Sequence, residues 1–284
     1  MANTQMQERS FTSWDGTTLF YRAWNKTDRP RKRAVIILHG GHEHSGRFTQ
    51  VVKALNLPNV SFFGWDARGH GRSPGKRGFA NSFQDLVRDA DAFVKAVSHE
   101  YDISTEDMAV LAHSEGSVIA SSLVLDHQPR LRGLVLGSPA LRVKLYVPFG
   151  VALLRALARI RPNSFVRGFV TSRRLTHDRE ERALRDADPL IAHPIGVRAL
   201  LGLLDEGDRV VRDAGRIRMP ALVLSAGSDW VVRLSAQAAF FRGLGSPQKE
   251  HIVYPGFYHE VFHERDRHLP ISRSREFLGD ILSV

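Results

Sequence analysis

Short, continuously apolar runs alternate with helix-length amphipathic stretches along most of this chain. Positions 34–38 (Ala-Val-Ile-Ile-Leu) are apolar without a break, as in a strand covered on both faces. Positions 60–65, 108–112, 131–136, 221–225 and 251–254 read as further strands. Positions 11–24 alternate apolar and polar around Asp15-Gly16, a turn dipeptide, and predict a hairpin. Helical patterns are expected at 82–100, 116–127, 234–244 and 260–282. Strands followed by helices imply an α/β fold: a mostly parallel central sheet, right-handed crossovers and helices on both faces.

The alternation stops between positions 141 and 218, where only helical patterns are read. Positions 145–160 start apolar and then carry Arg155 and Arg159 one helical turn apart, too short and too interrupted to span a bilayer. Such an insertion, leaving the C-terminal end of a strand, would sit over a site as a helical cap. The plain alternative is a helical subdomain with no gating role, and either would turn an apolar inner face to the pocket. The expected organisation is one domain, with core 1–140 and 219–284 and cap 141–218.

Composition narrows the chemistry. The 284 residues are 43% hydrophobic and 25% charged, ordinary globular values without a disorder signature. With no cysteine, disulfides, Cys-ligated metals and thiol nucleophiles are excluded. The first ten residues lack a basic segment followed by an apolar one, so a cytoplasmic location is the expectation. The formal charge is +10, and positions 141–220 hold 16 Lys and Arg against 9 Asp and Glu. No nucleic-acid-binding motif accompanies that excess, and no nucleic-acid partner is expected. The apolar content of the segment suits peripheral contact with an anionic lipid surface; a soluble basic surface is the plain alternative.

Candidate chemistry centres on Ser114. The strand-like run 108–112 leads into Ala112-His113-Ser114-Glu115-Gly116, a G-x-S-x-G nucleophile elbow with Ala in the first Gly place. The sharp turn strains the serine backbone, so the residues two before and two after it must be small. Asp229 closes the apolar run from Ala221, and His259 follows the run from His251. A serine hydroxyl needs a neutral imidazole to take its proton, and the imidazole needs a carboxylate to fix its tautomer. Singly, Asp229 reads as a helix N-cap and His259 as a loop histidine; Ser, Asp, His in that order, each past a strand, is the order of the α/β-hydrolase fold.

Further motifs carry a family resemblance over nearly the whole chain. His39-Gly40-Gly41-His42-Glu43-His44-Ser45-Gly46-Arg47-Phe48 matches the pattern H-G-x-x-E-H-S-x-R-aromatic. Asp66-Ala67-Arg68-Gly69-His70-Gly71-Arg72-Ser73 is a Gly-rich turn, and Asp188-Pro189-Leu190 lies in the cap segment. With these the chain resembles an α/β-hydrolase of the monoacylglycerol lipase and lysophospholipase group. The resemblance implies a Ser114–His259–Asp229 triad and an oxyanion hole made by the backbone N–H groups of Gly41 and Glu115. Glu43, Arg47 and His113 are expected near the head-group end of the pocket, as substrate contacts or as a salt-bridged network that shapes the loop. No cofactor and no metal is implied. The expected activity is hydrolysis of single-chain acyl esters through an acyl-enzyme. Alternatives are a short-chain esterase or thioesterase, or a non-catalytic binding protein on the same scaffold.

Glu115 departs from the group, which usually carries an apolar residue after the serine. An acidic residue in the first turn of a helix is expected to point away from the site; the alternative is that it pairs with a cap cation or meets a positively charged head group. His259-Glu260-Val261-Phe262-His263 also spells H-E-x-x-H, a zinc-peptidase pattern. That chemistry needs a helix through both histidines and a third ligand.

Overall fold

Asp15-Gly16 closes a hairpin between β1 (Gln5–Thr12) and β2 (Thr18–Asn25), with Phe11 paired to Leu19. The computed structural model describes residues 5–25, 32–167 and 170–283, so the first four positions of the leader reading and two cap positions lie outside it. The chain continues through β3 (Ala34–Leu38), α1 (Thr49–Leu55), β4 (Ser61–Trp65), α2 (Phe83–Tyr101), β5 (Met108–His113), α3 (Glu115–His127) and β6 (Gly133–Gly137). It then leaves the sheet for α4 (Gly150–Ile160), β7 (Phe165–Arg167), α5 (Ser172–Leu175), α6 (Arg179–Ala187), β8 (Pro194–Gly196) and α7 (Val197–Asp213). It returns with β9 (Ala221–Ala226), α8 (Leu234–Gly243), β10 (Lys249–Tyr254) and α9 (His268–Leu282).

Among the described residues the main sheet has eight strands in the order β1-β2-β4-β3-β5-β6-β9-β10. The first two pairings are antiparallel and the rest parallel. Each central strand divides its apolar residues between two cores, because successive side chains point to opposite faces. From β3, Ile36 and Leu38 pack with Phe93 of α2, Leu123 of α3 and Phe240 of α8. Val35 and Ile37 pack with Val52 and Leu55 of α1 and with Phe277 and Leu278 of α9. A side chain of this size contributes roughly 1.5–3 kcal/mol when fully buried, which is why the runs tolerate no polar residue.

Local chemistry sets the helix ends. Ser82 caps α2: its hydroxyl accepts the Asp85 N–H and the Asp85 carboxylate accepts the Ser82 N–H, each at 3.2 Å. The expected helix 260–282 is corrected. Positions 261–263 form one 3-10 turn, and α9 begins only at His268. Pro270 is the reason, since it has no N–H to give and fits only the first turn of a helix. The cap segment is not purely helical: β7 and β8 pair as a short antiparallel ribbon, Phe165 opposite Gly196. Three-residue strands are too short to display a period. β6 starts two residues later than expected, because Leu131 turns back to bond the Pro129 carbonyl.

Candidate active site

Ser114 sits between β5 and α3 at φ +52° and ψ −117°, a conformation that L-residues adopt only under constraint. Its N–H donates to the Gly137 carbonyl at 2.8 Å, and its carbonyl accepts the Ala140 N–H at 3.1 Å, so β6 and the turn after it hold the elbow. The small residue two places on is obligatory. A Cβ at Gly116 would come within 2.2 Å of the Leu38 carbonyl oxygen. Helix α3 therefore enters directly against β3, which projects the serine side chain from the C-terminal edge of the sheet.

Three loops bring the other polar groups to it. His259 Nε2 lies 2.8 Å from Ser114 Oγ, and His259 Nδ1 lies 2.7 Å from Asp229 Oδ2. The second Asp229 oxygen accepts the N–H groups of Val231 and Val232 at 2.6 and 2.9 Å. Burial pushes the Asp229 carboxyl up, but the His259 ring and these hydrogen bonds outweigh it and hold the group below its ordinary value. An ionised Asp229 can only accept, so His259 Nδ1 carries its proton there and Nε2 is left to accept from the serine hydroxyl. All three residues are buried.

The N–H groups of Gly41 and Glu115 have no protein acceptor among the described residues, and both residues line the cavity beside Ser114. The expectation that the Glu115 side chain points away is corrected. It is buried against Gly41, where a Cβ would come within 2.8 Å of Glu115 Oε2. The alternative pairing with a cap cation is absent as well among the described residues, and burial alone pushes the carboxyl up to about 7. The start of α3 is packed under the loop after β3, so this side chain turns to the cavity rather than to the outer surface.

Glu43, Arg47 and His113 form a buried network that braces the site. Glu43 Oε1 accepts the Gly40 N–H at 2.7 Å and faces His113 Nδ1 at 3.0 Å. His113 Nε2 meets the His259 carbonyl at 3.2 Å, and a carbonyl only accepts, so both ring nitrogens donate. Burial pushes the His113 ring down, yet Glu43 more than offsets this and holds it up. Burial likewise opposes the Glu43 charge, which His113 and Arg47 hold well below the carboxylate range. Glu43 and His113 reach the cavity wall, whereas Arg47 does not. Its guanidinium is enclosed by Glu260 at 2.9 Å, Glu43 at 3.5 Å and Glu181 of α6 at 3.5 Å.

The same loop is fastened to the cap segment. His42 Nδ1 donates to the Ala192 carbonyl at 2.7 Å, and His44 Nε2 lies 2.8 Å from Asp188. The sequence pattern H-E-x-x-H does not make a helical pair of ligands. His259 is turned to Ser114 and Asp229, while His263 meets the Arg47 carbonyl at 3.1 Å. Among the described residues no group of three or more His, Cys, Asp or Glu could hold a metal ion.

A cavity of about 590 Å³ opens above Ser114. Its walls are apolar, with Leu154 and Leu157 from α4, Leu200 and Leu203 from α7, Val143 from the start of the 141–218 segment and Val231 from the loop after β9. His42, Glu43, Arg185 and Glu260 gather on its polar side. Sequence reasoning missed Arg185, a lone arginine in a basic segment, and Glu260, read only as part of the zinc pattern. Lys144, also missed, donates to the Asp229 carbonyl at 2.5 Å and ties the start of the 141–218 segment to the loop after β9.

This geometry agrees with what the chain is similar to. Residues 29–266 match the family described as serine aminopeptidase, S33. The chain belongs to this family. It is an α/β-hydrolase of the monoacylglycerol lipase group. The Escherichia coli (strain K12) protein named "Uncharacterized protein YnbC" is 41% identical over 272 residues, covering 96% of this chain, which spans 46% of that relative's length. A monoacylglycerol lipase of Mycolicibacterium smegmatis is 29% identical, with 95% of each chain covered. The crystal structure of Paleococcus ferrophilus monoacylglycerol lipase superposes with a TM-score of 0.80 at 24% identity, over 98% of this chain and 99% of that one, and shares the fold.

Proposed function

We propose that this α/β-hydrolase cleaves single-chain acyl esters, monoacylglycerols or lysophospholipids, through an acyl-enzyme on Ser114. His259 takes the Ser114 proton as Oγ attacks the ester carbonyl. The amides of Gly41 and Glu115 hold the oxyanion, and Asp229 steadies the imidazolium. His259 then gives the proton to the departing alcohol, and water repeats the sequence on the acyl-enzyme. His113 and Glu43 act indirectly, fixing the His259 carbonyl and the Gly40-Gly41 backbone. The 141–218 segment serves as a cap within a single domain.

The observation that carries this reading is the apolar-walled cavity lined by Ser114, of a size within the range of ligand pockets. An acyl chain fits such walls, and the polar side around Glu43, Arg185 and Glu260 suits the hydroxyls of a head group. The relatives described as monoacylglycerol lipases support the same substrate class. Helix α4 and the turn before it expose Val147, Leu153, Phe149 at 85% and Ile160 at 78%, beside Arg155, Arg159 and Arg161. Apolar and basic side chains together suit an anionic lipid surface, from which substrate enters. Among the described residues no helix is long and apolar enough to cross a membrane.

The test is hydrolysis of p-nitrophenyl esters of increasing chain length by wild type and Ser114→Ala, followed by monoacylglycerol, lysophospholipid and aminoacyl substrates. Activity that peaks at medium or long chains and vanishes in the variant is expected. Preference for short chains or aminoacyl groups would refute the substrate class, and full activity of Ser114→Ala would move the nucleophile elsewhere.

A further inference from the structure

Glu115 is an acid held where a fixed negative charge does most harm to ester cleavage. It follows the serine, is 6% exposed, and its carboxyl has no hydrogen bond or ion pair among the described residues. Its Oε2 rests against Gly41, in the space a Cβ there would need. Both backbone amides assigned to the oxyanion hole thus belong to Glu115 itself or to the residue its carboxyl touches.

No neighbour supplies a compensating cation. The loop after β3 presents His42 and Glu43, the Gly-rich turn presents His70, and β5 presents His113. Phe79 and Ala80, Leu86 of α2, Ile195 of β8 and Ala199 of α7 complete the surroundings without any charge. Burial, aided by Arg185, lowers His42 to about 4, and burial, aided by His39, lowers His70 to about 3, so both rings are neutral. The charge of His113 is taken up by Glu43, and Arg185 is turned toward Glu260 at 3.9 Å. Across the cavity, His259 is committed to Ser114 and Asp229, and Glu260 to Arg47. The space behind the carboxyl measures about 10 Å³, at the lower limit for one water, and its other side meets the apolar-walled cavity over Ser114. The N-terminus of α3 favours the anion, but with no partner to hold the charge, burial prevails.

We infer that Glu115 works as a neutral acid beside the oxyanion hole, and that its ionisation shuts ester cleavage down. The inference rests on Ser114 being the nucleophile. In the neutral state the carboxyl adds a dipole and one O–H donor next to the developing oxyanion. When it loses its proton to solvent, a full charge of the same sign lies within a few ångströms of the oxyanion in a pocket with apolar walls. Repulsion at that range, or loss of one donor, slows such a step by roughly a hundredfold. Glu115 is thereby a positioning residue that acts through the electrostatics of the hole. It makes this enzyme intolerant of alkaline pH where an apolar residue would not.

The experiment is kcat/KM on a soluble short-chain p-nitrophenyl ester from about pH 5 to about pH 9, for wild type and Glu115→Gln, with Glu115→Leu as a second uncharged variant. The rate of Ser114 labelling by a fluorophosphonate is read in parallel. Wild type is expected to fall by about tenfold per unit on the alkaline side once Glu115 ionises. Glu115→Gln is expected to lack the fall and to exceed wild type at least tenfold near pH 9, in turnover and in labelling alike. A wild-type plateau through pH 9, or the same alkaline fall in the uncharged variants, overturns the inference. So does loss of a preference for choline-bearing lysophospholipid in Glu115→Gln with an unchanged pH profile, which would make the residue a head-group contact. Absence of Ser114 labelling in every protein would instead remove the nucleophile assignment, and the inference with it.

Discussion

Asp229→Asn changes one atom and should abolish the base. The Val231 and Val232 amides fix which way the new side chain faces, because they need an acceptor at Oδ1. Turning the Asn amide over would set its NH2 against two N–H donors, at about 1–3 kcal/mol for each unsatisfied group. The oxygen therefore stays, and the NH2 takes the place of Oδ2, 2.7 Å from His259 Nδ1. An NH2 only donates, so Nδ1 must accept and the ring proton moves to Nε2, which then points at Ser114 Oγ from 2.8 Å. In that tautomer the imidazole cannot take the serine proton. The loss expected is about ten-thousandfold in kcat, equivalent to about 5 kcal/mol of transition-state stabilisation. Initial rates on a medium-chain p-nitrophenyl ester measure it, with a thermal melt to show that the fold is intact. A folded Asp229→Asn protein within tenfold of wild type would refute the tautomer argument and the role of Asp229.

Glu43→Gln should leave the buried His113 cation unpaired and cost about 3–5 kcal/mol, read as a lowered Tm and reduced kcat; a Tm unchanged to within about 2 °C would show the pair contributes nothing. Gly116→Ala forces a Cβ against the Leu38 carbonyl and should cost about 3 kcal/mol or more, with little folded protein recovered; normal yield and melting would refute the close approach. Glu115 binds its proton more tightly folded, at about 7, than unfolded, so its contribution favours folding at acid pH and is lost as pH rises from its unfolded value toward 7. Glu115→Gln should therefore be the more stable protein above about pH 7, by about 3 kcal/mol at most, with the gap closing near pH 4; melts at the two pH values decide it. Phe149→Asp should weaken sedimentation with anionic vesicles severalfold while sparing turnover of soluble esters; equal binding would place the lipid contact elsewhere.

Much of the sheet was legible because strands such as β3, β5 and β9 are buried on both faces and so must be apolar throughout. The extent of α2 was legible from its helical period at 82–100, while the capping box of Ser82 and Asp85 that fixes its start came from the structure. The start of α9 was misread because Val261 and Phe262 continue the helical period, while Pro270 forbids a helix from reaching that far back. The ribbon of β7 and β8 left no trace, each strand being three residues long. At the site, the order of Ser114, Asp229 and His259 could be read from the strand ends they follow, but not the distances among them.

What the sequence determined by itself is what depends on near neighbours: the apolar periods, the small residues demanded by the turn at Ser114, and the family motifs. Tertiary structure alone decided whatever depends on groups distant in the chain. It set His113 against Glu43, 70 positions apart, enclosed Arg47 among three carboxylates, and turned Glu115 inward against Gly41. The physical reason is that a side chain's direction, charge state and solvent access follow from the elements packed around it, and helical or strand periodicity carries no record of those partners.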